Sequence, residues 1–128
     1  ERWMRDRIEA SEGDPEARAE RLNDVIAHLE KILTAPVLIF IFVDASSYPE
    51  LVAYEGALAA ENLMLAARAL GYGTSFQTTM FPEDAVRDHF NVSKRFRFIC
   101  AVPVGLPVEW PPTPPKKQLR ELVRYERM

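Results

Sequence analysis

The sequence predicts one globular domain in which helices alternate with strands. Its 128 residues are enough to bury a single sizeable core but are few for two domains. Hydrophobic residues make up 48% of the chain and charged residues 27%, which excludes disordered and fibrous proteins. Apolar residues recur at helical spacing in some segments and run continuously in others, so both helices and strands are expected.

Composition also limits the partners and the cellular compartment. The net charge of -3 provides no general attraction to nucleic acid, so we expect no nucleic-acid partner. The single cysteine, Cys100, cannot form an internal disulfide, which favours a reducing compartment. The sequence has no uninterrupted apolar run of 18 residues, and residues 1–7 are too charged for a signal peptide. We therefore expect a cytoplasmic protein that does not enter the membrane.

The first two predicted elements are a helix and a strand. Asp14 can cap a helix whose first residue is Pro15 and which ends near Thr34, because apolar residues recur at helical spacing between them. The following apolar run, residues 37–43, does not alternate with polar residues. Such a run is typical of a strand covered on both faces, so a central strand is predicted.

A long helix rich in small residues is predicted next. Ser47 and Glu50 have the spacing of a capping box, and Gly71 can end the helix after Leu70, which gives a length of about 35 Å. Its small residues are Gly56, Ala57, Ala59, Ala60, Ala66 and Ala67. They allow close approach of a neighbouring backbone, so the helix is expected in the core or at a dimer seam. Its charges, Glu55, Glu61 and Arg68, argue against a membrane span.

The remaining chain predicts two strands, a short helix and a stiff arm. Residues 74–79 favour a strand, residues 82–90 favour a helix that Asn91 can close, and residues 95–102 favour a strand that enters the core. Prolines then dominate residues 107–115 and hold the chain extended. A short helix or strand is expected between this arm and Tyr125.

Few residue groups indicate chemistry by themselves. The glycines of residues 71–74 follow a helix and precede a strand, which is the reverse of a dinucleotide-binding fingerprint. His28 and His89 lack the neighbouring ligands of a metal site, so both are interpreted as surface or packing residues. Cys100 lies in an apolar strand, where a thiol behaves as a small hydrophobic group. We therefore predict neither a metal site nor a catalytic side chain.

Two pairs of like charges have different interpretations. Glu83 and Asp84 fall in a first helical turn, where they complement the helix dipole. Lys116 and Lys117 follow the proline arm and could hold a phosphate group at a fixed place. A basic pair that is simply solvated is the alternative.

Four segments, in this order, resemble the nitroreductase family of FMN-dependent oxidoreductases. They are the Ala-Pro strand at residues 35–39, the long helix with its Gly-x-Gly-Thr exit at 56–74, the strand and turn at 102–107, and the basic segment at 116–123. Together with the intervening elements they cover about three-quarters of the chain. The resemblance implies one α+β domain over residues 1–128, with a central mixed β-sheet flanked by helices and a long central helix at a homodimer seam.

The resemblance also implies the chemistry. FMN is the expected cofactor, NAD(P)H the electron donor, and a nitroaromatic, a quinone or a similar electron-poor small molecule the acceptor. The residues implied to bind the cofactor are Phe76, Gln77, Thr78, Thr79, Lys116 and Lys117. Residues 76–79 would lie against the isoalloxazine, with main-chain groups near its N5 and O4 atoms. Lys116 stands where the family usually has an arginine that meets the FMN phosphate, with Lys117 beside it. Because flavin carries the electron chemistry itself, no catalytic side chain is required.

One departure from the family pattern leaves alternatives open. The family's Arg-Arg-Ser-x-Arg segment, which grips the FMN phosphate, has no counterpart here, since Arg2, Arg5 and Arg7 do not match it. Either the protein extends upstream of Glu1, which we expect, or it is a minimal version with impaired cofactor binding. A non-catalytic nitroreductase-like dimerisation module without flavin is therefore a rival hypothesis. The pair Thr78 and Thr79 resembles the reductive dehalogenase branch, which makes dehalogenation a third possibility.

Overall fold

The computed structural model describes residues 6, 8, 10 and 14–126. Arg2, Arg5 and Arg7 lie outside the described residues. The elements follow one another as α1 (Pro15–Leu33), β1 (Val37–Asp44), α2 (Val52–Ala69), β2 (Gly73–Thr74), α3 (Glu83–His89), β3 (Phe96–Gly105) and α4 (Leu119–Leu122). The predicted alternation of helices and strands is thus confirmed.

The predicted start of α1 is confirmed in detail. The Asp14 carboxylate accepts hydrogen bonds from the N–H groups of Glu16 at 3.2 Å and Ala17 at 3.3 Å. These bonds satisfy donors that have no partner within the helix. At the other end of α1, Leu29 and Ile32 are buried and pack against Met80. The C-terminal part of the helix therefore packs in a small cluster with the start of β1.

The strands form an antiparallel sheet of order β1-β3-β2. Two predictions were wrong here, because β1 lies at an edge rather than at the centre, and the described strands are all antiparallel rather than mixed. The apolar run in β1 reflects two covered faces. Leu38 packs with the cluster of α1, whereas Ile41 packs with the cluster of α2. Coverage of both faces does not require a central position.

The central strand is β3, and the core is built on it. Cys100, Ala101 and Val102 have 0% exposure. Cys100 and Val102 pack with Ala60 of α2, and a bulge in the pairing with β1 leaves Ile99 without a register partner. The predicted entry of this strand into the core is confirmed.

The long helix α2 ends where predicted but begins later. Leu51 is its N-cap and provides no side-chain hydrogen bond, so the predicted capping box of Ser47 and Glu50 was wrong. The end is confirmed, since Leu70 is the C-cap and Gly71 has a φ of 86°, a conformation that favours glycine. Within the described part of the chain, no helix has the length and apolarity needed to cross a membrane.

The segments after α2 contain less regular structure than predicted. The strand expected over residues 74–79 is reduced to β2 and a single bridge at Gln77. The short helix α3 agrees with the prediction, and Asn91 follows it with a φ of 51°. Residues 106–118 contain no helix or strand, and almost all of them are exposed. They comprise the prolines and the lysine pair and are called the proline arm from here on. The arm leads into the four-residue helix α4, so the helical alternative for this end is confirmed.

Candidate functional site

Residues 75–77 are fixed to the central strand of the sheet. The Gln77 N–H donates to the Ala101 carbonyl at 3.0 Å, and the Ala101 N–H donates to the Gln77 carbonyl at 2.8 Å. The Gln77 side-chain amide also donates to the Ser75 hydroxyl. Because Ala101 is fully buried, these bonds hold the start of the predicted cofactor segment against the core. The main-chain groups of Gln77 are thereby engaged within the protein.

Thr78 and Thr79 are exposed between two buried anchors. Gln77 precedes them, and Met80, buried against Leu29 and Ile32, follows them. Within the described part of the chain, neither threonine forms a hydrogen bond to another protein group. The two residues are therefore exposed in a short segment that is held at both ends, and their hydroxyl and N–H groups are not engaged by the described part of the chain. Phe76, on the other side of Gln77, is also partly exposed.

A groove of about 390 Å³ is lined in part by Thr74 and Ser75, which directly precede residues 76–79 in the chain. Its walls come from the end of α1, the connection between α1 and β1, β2, and the end of β3 with the residues that follow it. His28 and Lys31 stand on the α1 side, and Thr74 and Ser75 belong to the sheet side. His28 is exposed, as predicted, but its place beside a groove was not foreseen. The sequence carries no local signal for this, because His28 and Thr74 are brought together only by the fold.

The lysine pair is exposed near the far end of the proline arm. In the part of the chain that the structure describes, neither Lys116 nor Lys117 has an ion-pair partner. Neither lysine forms a hydrogen bond with residues 76–79, so a single chain does not join the two predicted parts of the site directly. Their positive charges are thus available to an external anion.

The arm itself is attached to the body of the domain at two places. The side chain of Pro107 lies over Gly73, since a Cβ at Gly73 would be 3.1 Å from the Pro107 Cβ. Further along, the Arg68 guanidinium carbon lies 3.3 Å from the centre of the Trp110 ring. Sequence reasoning missed the Arg68 contact, because the two residues are far apart in the chain.

The other candidate groups serve the structure. Cys100 is fully buried, and burial raises the pKa of its thiol, as expected for an inert cysteine. Among the described residues no cluster of His, Cys, Asp or Glu could hold a metal ion. His89 is exposed and contacts the ring of Phe90 edge-on.

Glu83 does more than complement the dipole of α3, so that interpretation was incomplete. Its carboxylate forms an ion pair with Arg87 and accepts a hydrogen bond from the Phe98 N–H at 3.1 Å. Arg87 is buried and also donates to the carbonyls of Ser93 and Phe96. The pair therefore joins α3 to β3 and to the turn between them.

Comparison with known proteins identifies the family. The model of the nitroreductase family matches residues 3–106, which is most of the chain. No curated protein matches the sequence significantly. Solved structures do match, and they share the fold at low sequence identity.

Three solved structures illustrate this similarity. A nitroreductase family protein from Streptococcus pneumoniae has a TM-score of 0.68 and 19% identity, with 78% of this chain and 69% of that chain covered. An FMN-dependent nitroreductase from Clostridium difficile has a TM-score of 0.62 and 18% identity, covering 73% and 59%. Iodotyrosine deiodinase, bound to FMN and 3-iodo-L-tyrosine, has a TM-score of 0.66 and 23% identity, covering 97% and 64%.

The chain is shorter than the proteins it resembles. It spans between 52% and 70% of their lengths. The family match over residues 3–106 contains the long helix α2, the sheet and the Gly-x-Gly-Thr turn, whereas the basic segment at residues 116–123 lies beyond it. The predicted nitroreductase-like α+β fold is therefore confirmed, and the chain belongs to the nitroreductase family.

Proposed function

We propose that this chain binds FMN and acts as an oxidoreductase that takes electrons from NAD(P)H and reduces a small electron-poor molecule, such as a nitroaromatic or a quinone. One observation carries the proposal. Thr78 and Thr79 are exposed between the buried anchors Gln77 and Met80, in the region that matches the family. Binding of FMN by structurally similar proteins supports it, since one is described as FMN-dependent and another as bound to FMN.

The residues present fit such a cofactor. Thr78 and Thr79 offer hydroxyl and N–H donors, which suit the polar edge of an isoalloxazine ring. Phe76 offers an exposed aromatic surface to the ring system. Lys116 and Lys117 offer two ammonium groups for the phosphate. In this proposal Gln77 acts as the anchor of the segment, because its main-chain groups are already bonded to Ala101.

The cofactor and these residues would have separate roles. FMN, when bound, supplies the two-electron redox chemistry. Thr78 and Thr79 would orient its ring, and the lysines would neutralise its phosphate. The bonds between Gln77 and Ala101 keep the threonines in place during binding, so less ordering is required when the cofactor arrives. Phe76 would exclude water from one part of the ring.

A homodimer is part of the proposal. The face of α2 turned away from the sheet carries Tyr54, Leu58 and Leu65, all of them exposed in the single chain. Their spacing places them along one side of the helix, where a second copy could cover them. Light scattering at micromolar concentration should give twice the mass of one chain. A monomeric mass would contradict this part of the proposal.

The proposed compartment is the cytoplasm. The basis is Cys100, which is a free and fully buried thiol. Fractionation of cells that express the protein from its own gene would test this location.

Reductive dehalogenation is the second candidate function. It is favoured by the exposed pair Thr78 and Thr79 and by the similarity to iodotyrosine deiodinase, which covers 97% of this chain. Turnover of a halophenol by the protein with reduced FMN would support it. Turnover of a nitroaromatic or a quinone, with no reaction of any halophenol, would favour the first candidate.

The direct test is the visible absorption spectrum of the purified protein. A flavin spectrum is expected, with release of about one FMN per subunit on denaturation. A colourless protein that also fails to bind added FMN would overturn the proposal. That outcome would favour the non-catalytic module, whose remaining function would be self-association.

A further inference from the structure

The contact between Arg68 and Trp110 has the geometry of a clamp on the proline arm. Arg68 lies in the last turn of α2, and its guanidinium carbon is 3.3 Å from the centre of the Trp110 ring. A cation within about 6 Å of an aromatic centre is attracted by the electrons of the ring face. Trp110 is 45% exposed, whereas Leu106 earlier in the arm is 80% exposed. The arm therefore returns to the body of the domain at Trp110.

The position of this contact matters for the lysine pair. Lys116 is nine residues beyond Pro107, the other attachment of the arm, but only six residues beyond Trp110. Four of the residues between Trp110 and Lys116 are prolines, Pro111, Pro112, Pro114 and Pro115. A proline-rich segment is stiff and extends about 3.1 Å per residue, so Lys116 lies within about 19 Å of a fixed point. Without the clamp, the same lysine would move on a longer and looser tether.

We propose that Arg68 and Trp110 are positioning residues, which hold the arm so that Lys116 and Lys117 meet the phosphate of the bound FMN. This inference rests on the proposed function. A clamp of this kind raises the local concentration of the ammonium groups at the phosphate without contacting the cofactor. The lysines have no ion-pair partner in the part of the chain that the structure describes, so their charges are not already neutralised.

The clamp predicts a specific pattern of ligand selectivity. Riboflavin has the isoalloxazine ring and the ribityl chain of FMN but lacks the phosphate. Loss of the clamp should therefore weaken the binding of FMN and leave the binding of riboflavin unchanged. General damage to the ring site at residues 76–79 would weaken both ligands together.

The experiment titrates a set of variants of this chain with FMN and with riboflavin. Quenching of flavin fluorescence reports the binding of each ligand. Arg68→Ala and Trp110→Ala should each weaken FMN binding about twofold to fivefold, the range expected for an exposed cation–aromatic contact. The double variant should be no weaker than the stronger single variant, because both substitutions break one contact. Arg68→Lys and Trp110→Phe keep a cation and a ring, so they should recover part of the affinity.

Arg97→Ala is the matched control for charge. Arg97 is exposed on β3 and lies outside the clamp, so its loss should leave the ratio of FMN to riboflavin affinity unchanged. An equal loss of FMN affinity in Arg97→Ala would show that overall charge is responsible, and it would overturn the clamp. Urea unfolding midpoints should match across the set, because both residues of the clamp are partly exposed.

Failure of the inference can be distinguished from failure of the proposed function. If the unsubstituted protein binds FMN more tightly than riboflavin, but the clamp variants keep the same ratio, the inference is wrong and the proposed function stands. If the unsubstituted protein binds neither ligand, the proposed function is wrong, and the inference that rests on it is wrong as well.

Discussion

The central strand and the proline arm show opposite ways of using a polypeptide segment. In β3, Cys100 and Val102 are fully buried between neighbouring elements. The arm, residues 106–118, is largely exposed and is attached by few contacts, chiefly those of Pro107 and Trp110. The difference teaches that stability resides in the body of the domain, whereas the proposed phosphate-binding charges are carried outside it. Substitutions in the two regions should therefore have separable effects.

Arg87→Ala should cause a large loss of stability, comparable to that of truncating a buried apolar side chain. The substitution removes the hydrogen-bond donors to the carbonyls of Ser93 and Phe96. It also removes the ion-pair partner of the Glu83 carboxylate. Loss of a buried, multiply bonded charge costs about 2–4 kcal/mol of unfolding free energy. Urea denaturation measures this directly.

Two further variants sharpen the prediction for Arg87. Arg87→Lys should recover little stability, because an ammonium group cannot reproduce the fork of guanidinium hydrogen bonds. Glu83→Gln should cost less than Arg87→Ala, since a side-chain carbonyl oxygen at residue 83 can still accept from the Phe98 N–H. Stability unchanged in Arg87→Ala would mean that α3 is not joined to β3 by this group.

Gly56→Ala should also destabilise the body, although alanine is the better helix former. A Cβ at Gly56 would lie 2.7 Å from the Cγ2 and 2.9 Å from the Cβ of Ile99, so the helix or the strand must shift. Overpacking of this kind costs about 1–3 kcal/mol, which outweighs the gain of about 1 kcal/mol from helix propensity. Thermal and urea unfolding of the variant show whether the free energy of unfolding falls, as expected, or rises.

Ile99→Ala provides the control for Gly56→Ala. Ile99→Ala removes the γ carbons that crowd the new methyl group but keeps the Cβ at 2.9 Å, so it relieves part of the clash. The double variant should therefore be more stable than the sum of the two single effects predicts. Additive losses would show that close packing between α2 and β3 is not the cause.

A substitution in the turn after β1 should cause a smaller loss of stability, and this loss should depend on pH. The hydroxyl and N–H of Ser46 donate to Asp44, and together with the nearby Arg95 they hold the pKa of this carboxyl below its ordinary value of 3.8. A lowered folded pKa contributes stability above the unfolded pKa, and this stability is lost as pH falls through the folded pKa. Ser46→Ala should therefore destabilise the protein at neutral pH.

The stability difference between Ser46→Ala and the unsubstituted protein should shrink as the pH falls below 3.8. Urea denaturation at neutral and acidic pH measures it, and an NMR titration should show a higher pKa for Asp44 in the variant. A pH-independent difference would mean that Ser46 acts without Asp44.

The smallest change in the free energy of unfolding is expected for a substitution just beyond the arm, in α4. Leu119 is 70% exposed, so Leu119→Ala should change the free energy of unfolding by less than about 0.5 kcal/mol. The matched substitution in the body is Ile32→Ala, where a side chain with 6% exposure should cost about 2–5 kcal/mol. Equal effects at Leu119 and Ile32 would contradict the division between body and arm.

Local signals in the sequence predicted the ends of helices well. Asp14, Gly71 and Asn91 act through their own side chain or backbone conformation, which depends on few neighbours. The edge position of β1 was not predictable in this way, because burial on two faces does not report which strands pair. The capping box at residues 47–50 failed because these residues lie in a turn, where the Leu51 N–H donates to the Tyr48 carbonyl at 3.0 Å, and the helix begins only at Val52.

The candidate site was predictable only in parts. The family resemblance indicated residues 76–79 and the lysine pair, but not how they are held. The hydrogen bonds between Gln77 and Ala101, and the contact of Arg68 with Trp110, join residues that are distant in the chain. Such contacts leave no local pattern in the sequence, so they appear only once the fold is known.

The most direct test of the central claim measures ligand binding and stability in the same variant, Lys116→Ala. We expect its dissociation constant for FMN to rise about tenfold to a hundredfold, because a charge-assisted hydrogen bond to phosphate is lost, and its free energy of unfolding to stay unchanged. An unchanged FMN dissociation constant would remove Lys116 from the site. A parallel loss of stability would contradict the separation between the buried body and the binding arm.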